Sequence, residues 1–180
     1  MEDKTMKNLI IISVILAIFV ACETTSQFSK VSKQQSSIKF YYGEVKTTSP
    51  DGKIPYGPVK YSLVKRTIDP ANKMIIELVN QDEIVFKTVL TQTDSKQIFN
   101  MTDNKSFKGI ITFEGKEWKW DKWTYDITMT DKSGKIIGSG ELKENTLLTR
   151  KIFVTSDGTE QVLITEALKE ISETEYNSKK

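Results

Sequence analysis

From Ile38 onward, apolar and polar residues alternate with a period of two, and turn-forming residues break the alternation at roughly 8–12-residue intervals. A chain written this way puts every second side chain on one face of a pleated strand, which a helix cannot accommodate. Ile38-Phe40-Tyr42 forms one face of a first strand, and Ser49-Pro50-Asp51-Gly52 makes a turn. Val59-Tyr61-Leu63 runs on through Val64 to the Asp69-Pro70-Ala71-Asn72 turn. Met74-Ile76-Leu78 and Ile84-Phe86 flank Asn80-Gln81-Asp82 as in a hairpin. Ile98 and Met101 precede a turn at Asp103-Asn104, and Ile110 to Phe113 leads to Gly115. Trp123-Tyr125-Ile127-Met129 alternates with Thr124-Asp126-Thr128-Thr130. Asp131-Lys132-Ser133-Gly134 predicts a type I turn with glycine at a positive φ. Gly138 and Gly140 predict a bend or bulge in the strand opened by Ile136-Ile137. Leu147 to Val154 is a further strand, and Asp157-Gly158 turns into Val162-Leu163-Ile164.

Nine or ten short antiparallel strands joined by hairpins must hide their edges. The expected fold is all-β: an antiparallel up-and-down barrel, with a β-sandwich as the alternative. Ile164, Ala167, Leu168 and Ile171 also fit a helical face, so a short C-terminal helix is expected from Glu166 onward.

Composition removes several kinds of chemistry. Histidine is absent and Cys22 is the sole cysteine. Ser-His-Asp and Cys-His nucleophilic systems, histidine-containing metal sites and an internal disulfide are thereby excluded. Net charge is +2, and Arg66 and Arg150 are the only arginines, so no concentrated basic face for nucleic acid is expected. No cofactor, no metal and no enzymatic activity are expected.

The N-terminus follows different rules. Lys7 precedes an apolar run from Leu9 to Val20 that contains nothing charged. Twelve residues fall short of the roughly 20 needed to span a hydrocarbon core, and match the apolar region of a signal peptide. The run ends in Phe19-Val20-Ala21-Cys22 and turns polar at once with Glu23-Thr24-Thr25-Ser26. Phe19-Val20-Ala21-Cys22 resembles a lipobox, the motif of bacterial lipoprotein signal peptides, in a relaxed form with Phe19 where leucine is usual. The resemblance implies cleavage before Cys22, diacylglycerol on its thiol and further acylation, by chains such as palmitate, at the new N-terminus. It implies a cell-envelope location with the membrane as partner through this lipid. The inner, outer or surface leaflet stays open, and protein partners are unassigned.

The expected organisation is a signal peptide over 1–21, a lipid-anchored flexible tether over 22–37, a barrel domain over 38–176 and a tail over 177–180. The Ser-, Thr- and Gln-rich stretch 23–37 would span on the order of 20 Å as a flexible chain.

Trp123-Thr124-Tyr125-Asp126 and Leu147-Leu148-Thr149-Arg150-Lys151 resemble the Trp-x-Tyr and Leu-x-x-Arg strands of lipocalin-like bacterial lipoproteins of unknown function. The likeness covers about a fifth of the chain; it implies the barrel and no particular activity.

Trp118, Trp120, Trp123 and Tyr125 are the candidate ligand-binding row, with Trp118 and Trp120 sharing a strand face and a turn at Asp121-Lys122. Aromatic rings with a polar tip suit a pocket for an apolar ligand, and equally suit a filled core. An inward Arg150 would hold a ligand carboxylate by a bidentate pair, and is otherwise a solvated charge. Glu114, Glu117, Asp121 and Asp126 lie near the aromatics, and two facing carboxylates would suit a hydrolase. Interleaved Lys116, Lys119 and Lys122 favour solvated turn charges instead.

The leading expectation is a non-enzymatic envelope lipoprotein whose barrel binds a small apolar or amphipathic ligand. An interaction module with a solid core is the alternative, and a carboxylate-dependent hydrolase the third.

Overall fold

The structure, a computed structural model, describes residues 35–82, 84–103 and 107–180. The leader, Cys22 and most of the tether lie outside the described residues, as does Asn104 of one expected turn.

Ten antiparallel strands succeed one another around a closed barrel. They are β1 (Ser37–Thr48), β2 (Lys60–Asp69), β3 (Met74–Gln81), β4 (Ile84–Gln92), β5 (Ile98–Asp103), β6 (Phe107–Lys116), β7 (Lys119–Met129), β8 (Gly134–Lys143), β9 (Thr146–Thr155) and β10 (Glu160–Ile171). Each strand pairs with its sequence neighbours, and β10 returns to β1 with Phe40 opposite Ile171 and Thr48 opposite Leu163. That closure leaves no edge strand to template pairing with another chain. It also decides between the two architectures in favour of the barrel.

The alternation sorts side chains into inner and outer sets. Tyr41, Val64, Ile75, Leu90, Phe99, Ile111, Trp123, Ile127, Leu147 and Leu168 form one buried cluster inside the barrel. Phe40 and Leu63 point the other way. They are covered by Tyr176 on a short helix, α1 (Glu173–Ser178), whose ring stands 4.7 Å from that of Phe40. Ser172 caps the helix by accepting the Glu175 N–H at 3.1 Å. The C-terminal helix therefore begins later than the apolar spacing implies. Glu166 to Ile171 stays in β10, where Leu168 faces in, and the helix takes up Asn177 and Ser178, which composition assigned to a tail.

Three local expectations are corrected. The turn between β6 and β7 falls at Glu117-Trp118 and not at Asp121-Lys122; Trp118 sits in it at φ 61°, so Trp118 and Trp120 do not share a strand face. In the turn before β8 the positive φ belongs to Lys132, at 60°. Gly134 is required for space instead, because a Cβ there would lie 2.8 Å from the Phe153 ring. Finally, β8 pairs with β7 and β9 without a shift of register. Gly140 makes no bulge: it lies beneath the Trp123 indole, which a Cβ would meet at 2.3 Å.

The two ends of the barrel differ. One carries the β2–β3, β4–β5, β6–β7 and β8–β9 turns, together with the start of β1 and helix α1. Here Phe99, Phe113, Trp118 and Trp120 pack into a plug. Phe99 meets Phe113, Trp118 and Trp120 edge-on at 5.1 to 5.7 Å, and Phe113 stacks on Trp120 at 4.8 Å. Offset and edge-to-face pairs of this kind suit the ring quadrupoles and bury large apolar areas. The other end, with the β1–β2 loop and the β3–β4, β5–β6, β7–β8 and β9–β10 connections, holds a cavity.

Candidate functional site: a cavity with a charged floor

The cavity measures about 320 Å³, near the lower end of the range for small-molecule sites. Its walls come from inward positions of all ten strands except β2. Val45, Val79, Ile127, Ile136 and Ile164 make the apolar sides, and Phe86, still 40% exposed, stands where the space meets solvent. Glu77, Tyr125, Lys151 and Glu166 also line it.

The polar groups form two ion pairs. Arg66 on β2 lies directly across from Glu77 on β3. Its Nε and a terminal amine both reach Glu77 Oε1 at 2.6 Å. The guanidinium also stands 5.7 Å from the Tyr41 ring centre and 5.4 Å from that of Trp123. Burial works against its charge, but Glu77 and then Tyr41 more than offset this and hold the guanidinium firmly protonated. Lys151 on β9 donates to Glu166 Oε2 at 2.8 Å, and Thr149 donates to the same oxygen. Lys151 Nζ lies 5.4 Å from the centre of the Tyr125 ring. Burial again opposes both charges of this pair. The mutual attraction wins, so the Lys151 ammonium is held above the usual lysine range and the Glu166 carboxyl below the usual glutamate range.

Tyr125 joins the two halves of the site. Its hydroxyl accepts the Trp123 indole N–H, and burial pushes its phenol upward, against the pull of Lys151. Both Glu77 and Glu166 bear on it electrostatically. The phenol stays neutral and keeps its own proton to donate.

The sequence-derived candidates divide accordingly. Tyr125 lines the cavity. Trp123 is buried behind it, with Arg66 over its ring. Trp118 and Trp120 belong to the aromatic plug at the opposite end, partly buried against the core, and do not line this cavity. Arg150 is exposed on the outer surface of β9, which matches the solvated alternative and not the inward arginine that would hold a ligand carboxylate in the barrel. The strand period makes the reason plain: Leu147 is buried in the interior, so Thr149 and Lys151 share its face and Arg150 does not. Of the four carboxylates near the aromatics, Glu114, Asp121 and Asp126 are exposed. Glu117 is tied to Lys96 at 3.2 Å and Gln92 at 3.1 Å in the turn region. The acids that do line the cavity include Glu77 and Glu166, neither of which was among the candidate site residues. Their positions across the Asp69–Asn72 and Asp157–Gly158 turns were the available signal.

Among the described residues, no group of three or more acidic, cysteine or histidine side chains could hold a metal ion. No protein-family model matches the chain, and no curated protein matches it significantly.

Proposed function

We propose that this chain is a non-enzymatic, lipid-anchored envelope lipoprotein whose barrel binds a small amphipathic ligand in its open-end cavity. The observation that carries the binding reading is the cavity itself. Apolar walls lead from Phe86 at the mouth to a floor of two ion pairs and a neutral phenol. Apolar surface drives entry, and a few fixed polar groups orient the guest. The anchoring half of the proposal rests on the Phe19-Val20-Ala21-Cys22 motif. Two or more acyl chains on Cys22 would hold the domain at a membrane, since each buried methylene contributes about 0.8 kcal/mol.

Calorimetric titration of the full chain with single-chain amphiphiles tests the binding half. Saturable binding of one molecule per chain is expected, and heats of dilution alone across amine, alcohol and acid head groups would refute it. Mass spectrometry of the protein recovered from cells tests the anchor. A mature form starting at diacylglyceryl-modified Cys22 is expected, and an unmodified thiol or a retained leader would overturn it.

A second reading, an interaction module acting through its outer surface, is favoured by one feature. Ile54, Tyr56 and Val59 on the β1–β2 loop, and Ile84 and Val85 on the β3–β4 hairpin, are all exposed. The Lys60–Asp82 ion pair brings these segments to the same edge of the barrel. Such a patch marks contact surfaces. Tyr56→Ser with Val85→Ser would abolish a surface interaction and leave the cavity titration unchanged.

A further inference from the structure

We infer that the guest of this cavity carries a positively charged head, as a protonated alkylamine does, and not a carboxylate; the inference rests on the binding reading above. The floor contains both signs of charge, but they are not equally available. Each cation is already committed to its own carboxylate: Arg66 to Glu77 through two donors, and Lys151 to Glu166 at 2.8 Å. Arg66 stands behind Glu77, against the rings of Tyr41 and Trp123, and does not line the cavity. Glu77 does line it, and Arg66 takes only its Oε1. Both contacts of Arg66 fall on that one oxygen, which leaves Oε2 of a cavity-lining carboxylate outside the pair. Glu166 repeats the arrangement, with Lys151 and Thr149 both on Oε2 and Oε1 remaining. Asp103 is a further carboxylate in the wall.

A carboxylate entering this space would place two carboxylates around the Lys151 ammonium, or would displace Glu166 and strand it. Either result leaves a desolvated negative charge without a matched partner, which is the costly case. An ammonium would meet the uncommitted oxygens of Glu77 and Glu166, gain charge-assisted hydrogen bonds and leave both existing ion pairs in place. Its chain would then lie along Val79, Ile127, Ile136 and Ile164 toward Phe86.

The test titrates the full chain calorimetrically at neutral pH with decylamine, decanol and decanoate, which share a tail and differ in head charge. The inference expects decylamine to bind at least tenfold more tightly than decanoate, with decanol between. Decanoate binding equal to or tighter than decylamine would overturn it while leaving a ligand-binding barrel intact. No binding by any of the three would overturn the binding reading, and this inference with it. Glu77→Gln removes one of the carboxylates that line the cavity and leaves Arg66 charged and Glu166 in place, so it should cut the decylamine preference several-fold. Should that variant not fold, Arg66→Met with Glu77→Met removes both charges together and should weaken the amine preference to a similar degree, because Glu166 alone then remains to receive the ammonium. An unchanged decylamine-to-decanoate ratio in either variant would contradict the assignment.

Discussion

Lys151 and Glu166 meet at 2.8 Å inside the barrel, with side chains 24% and 16% exposed, and both face the cavity that Tyr125 lines. Their mutual dependence is larger than their net contribution to stability. Taking both charges out of water nearly cancels the attraction between them. Loss of one alone strands the other.

Lys151→Met should therefore cost about 3 kcal/mol in denaturant unfolding at neutral pH. Replacing the pair, with Lys151→Met and Glu166→Leu together, should cost far less or nothing. The pH dependence follows from the directions of the shifts. Glu166 is lowered in the fold, so its contribution is present above the ordinary glutamate range and is lost as pH falls through its folded value. Lys151 is raised, so its contribution is complete below the ordinary lysine range and is lost only as pH rises beyond it. The Lys151→Met deficit should accordingly shrink in acid, where Glu166 takes up a proton. A deficit independent of pH would count against the pairing.

Gly140 and Trp123 face each other across β8 and β7. A methyl group on Gly140 would overlap the indole, so Gly140→Ala should destabilise by about 1–3 kcal/mol. Near-ultraviolet circular dichroism should change with it as Trp123 moves off Tyr125, to which its N–H is bonded. An unchanged spectrum and stability would refute this packing.

Ser62 is 1% exposed, and its hydroxyl has no hydrogen-bond partner among the described residues. A buried hydroxyl in that state costs stability. Ser62→Ala should thus raise the unfolding free energy, by about 1 kcal/mol. A loss of stability on this substitution would mean that the hydroxyl is satisfied.

Trp118 belongs to the plug, at the end of the barrel away from the cavity. Trp118→Ala should cost about 2 kcal/mol of stability and leave decylamine affinity within about 0.5 kcal/mol of the parent, as expected for well-separated sites. Tyr125→Phe removes a polar group from the cavity wall and should change affinity with little effect on the plug. The reverse pattern would place the binding site at the other end of the barrel.

The strand order and the barrel were legible because each hairpin has its own turn residues, such as Asp69-Pro70-Ala71-Asn72 and Asp157-Gly158, and the alternation between them is regular. Which face turns inward was harder to read, because several strands are apolar on both sides. Phe40 is buried under Tyr176 while its neighbour Tyr41 is buried in the barrel. Ile152 and Val154 pack on the outside with Leu163, while Leu147 packs within. On such strands composition cannot choose a face, and Arg150 was singled out while its neighbour Lys151 was not. The buried charges were hidden for a related reason. Arg66 and Glu77 are ordinary surface residues until the turn between them fixes the register that sets them opposite each other. Trp118, Trp120 and Trp123 were visible as a cluster. Their separation into plug and cavity backing depends on a turn at Trp118, whose positive φ no tryptophan advertises.

Entry of a guest into the open-end cavity is read most directly by methyl-resolved NMR of the full chain titrated with decylamine. The methyl signals of Val79, Ile127, Ile136 and Ile164 should shift in a saturable way, while those of Ile152 and Val154 on the outer face stay fixed. Shifts confined to the outer-face methyls, or none at all, would contradict it.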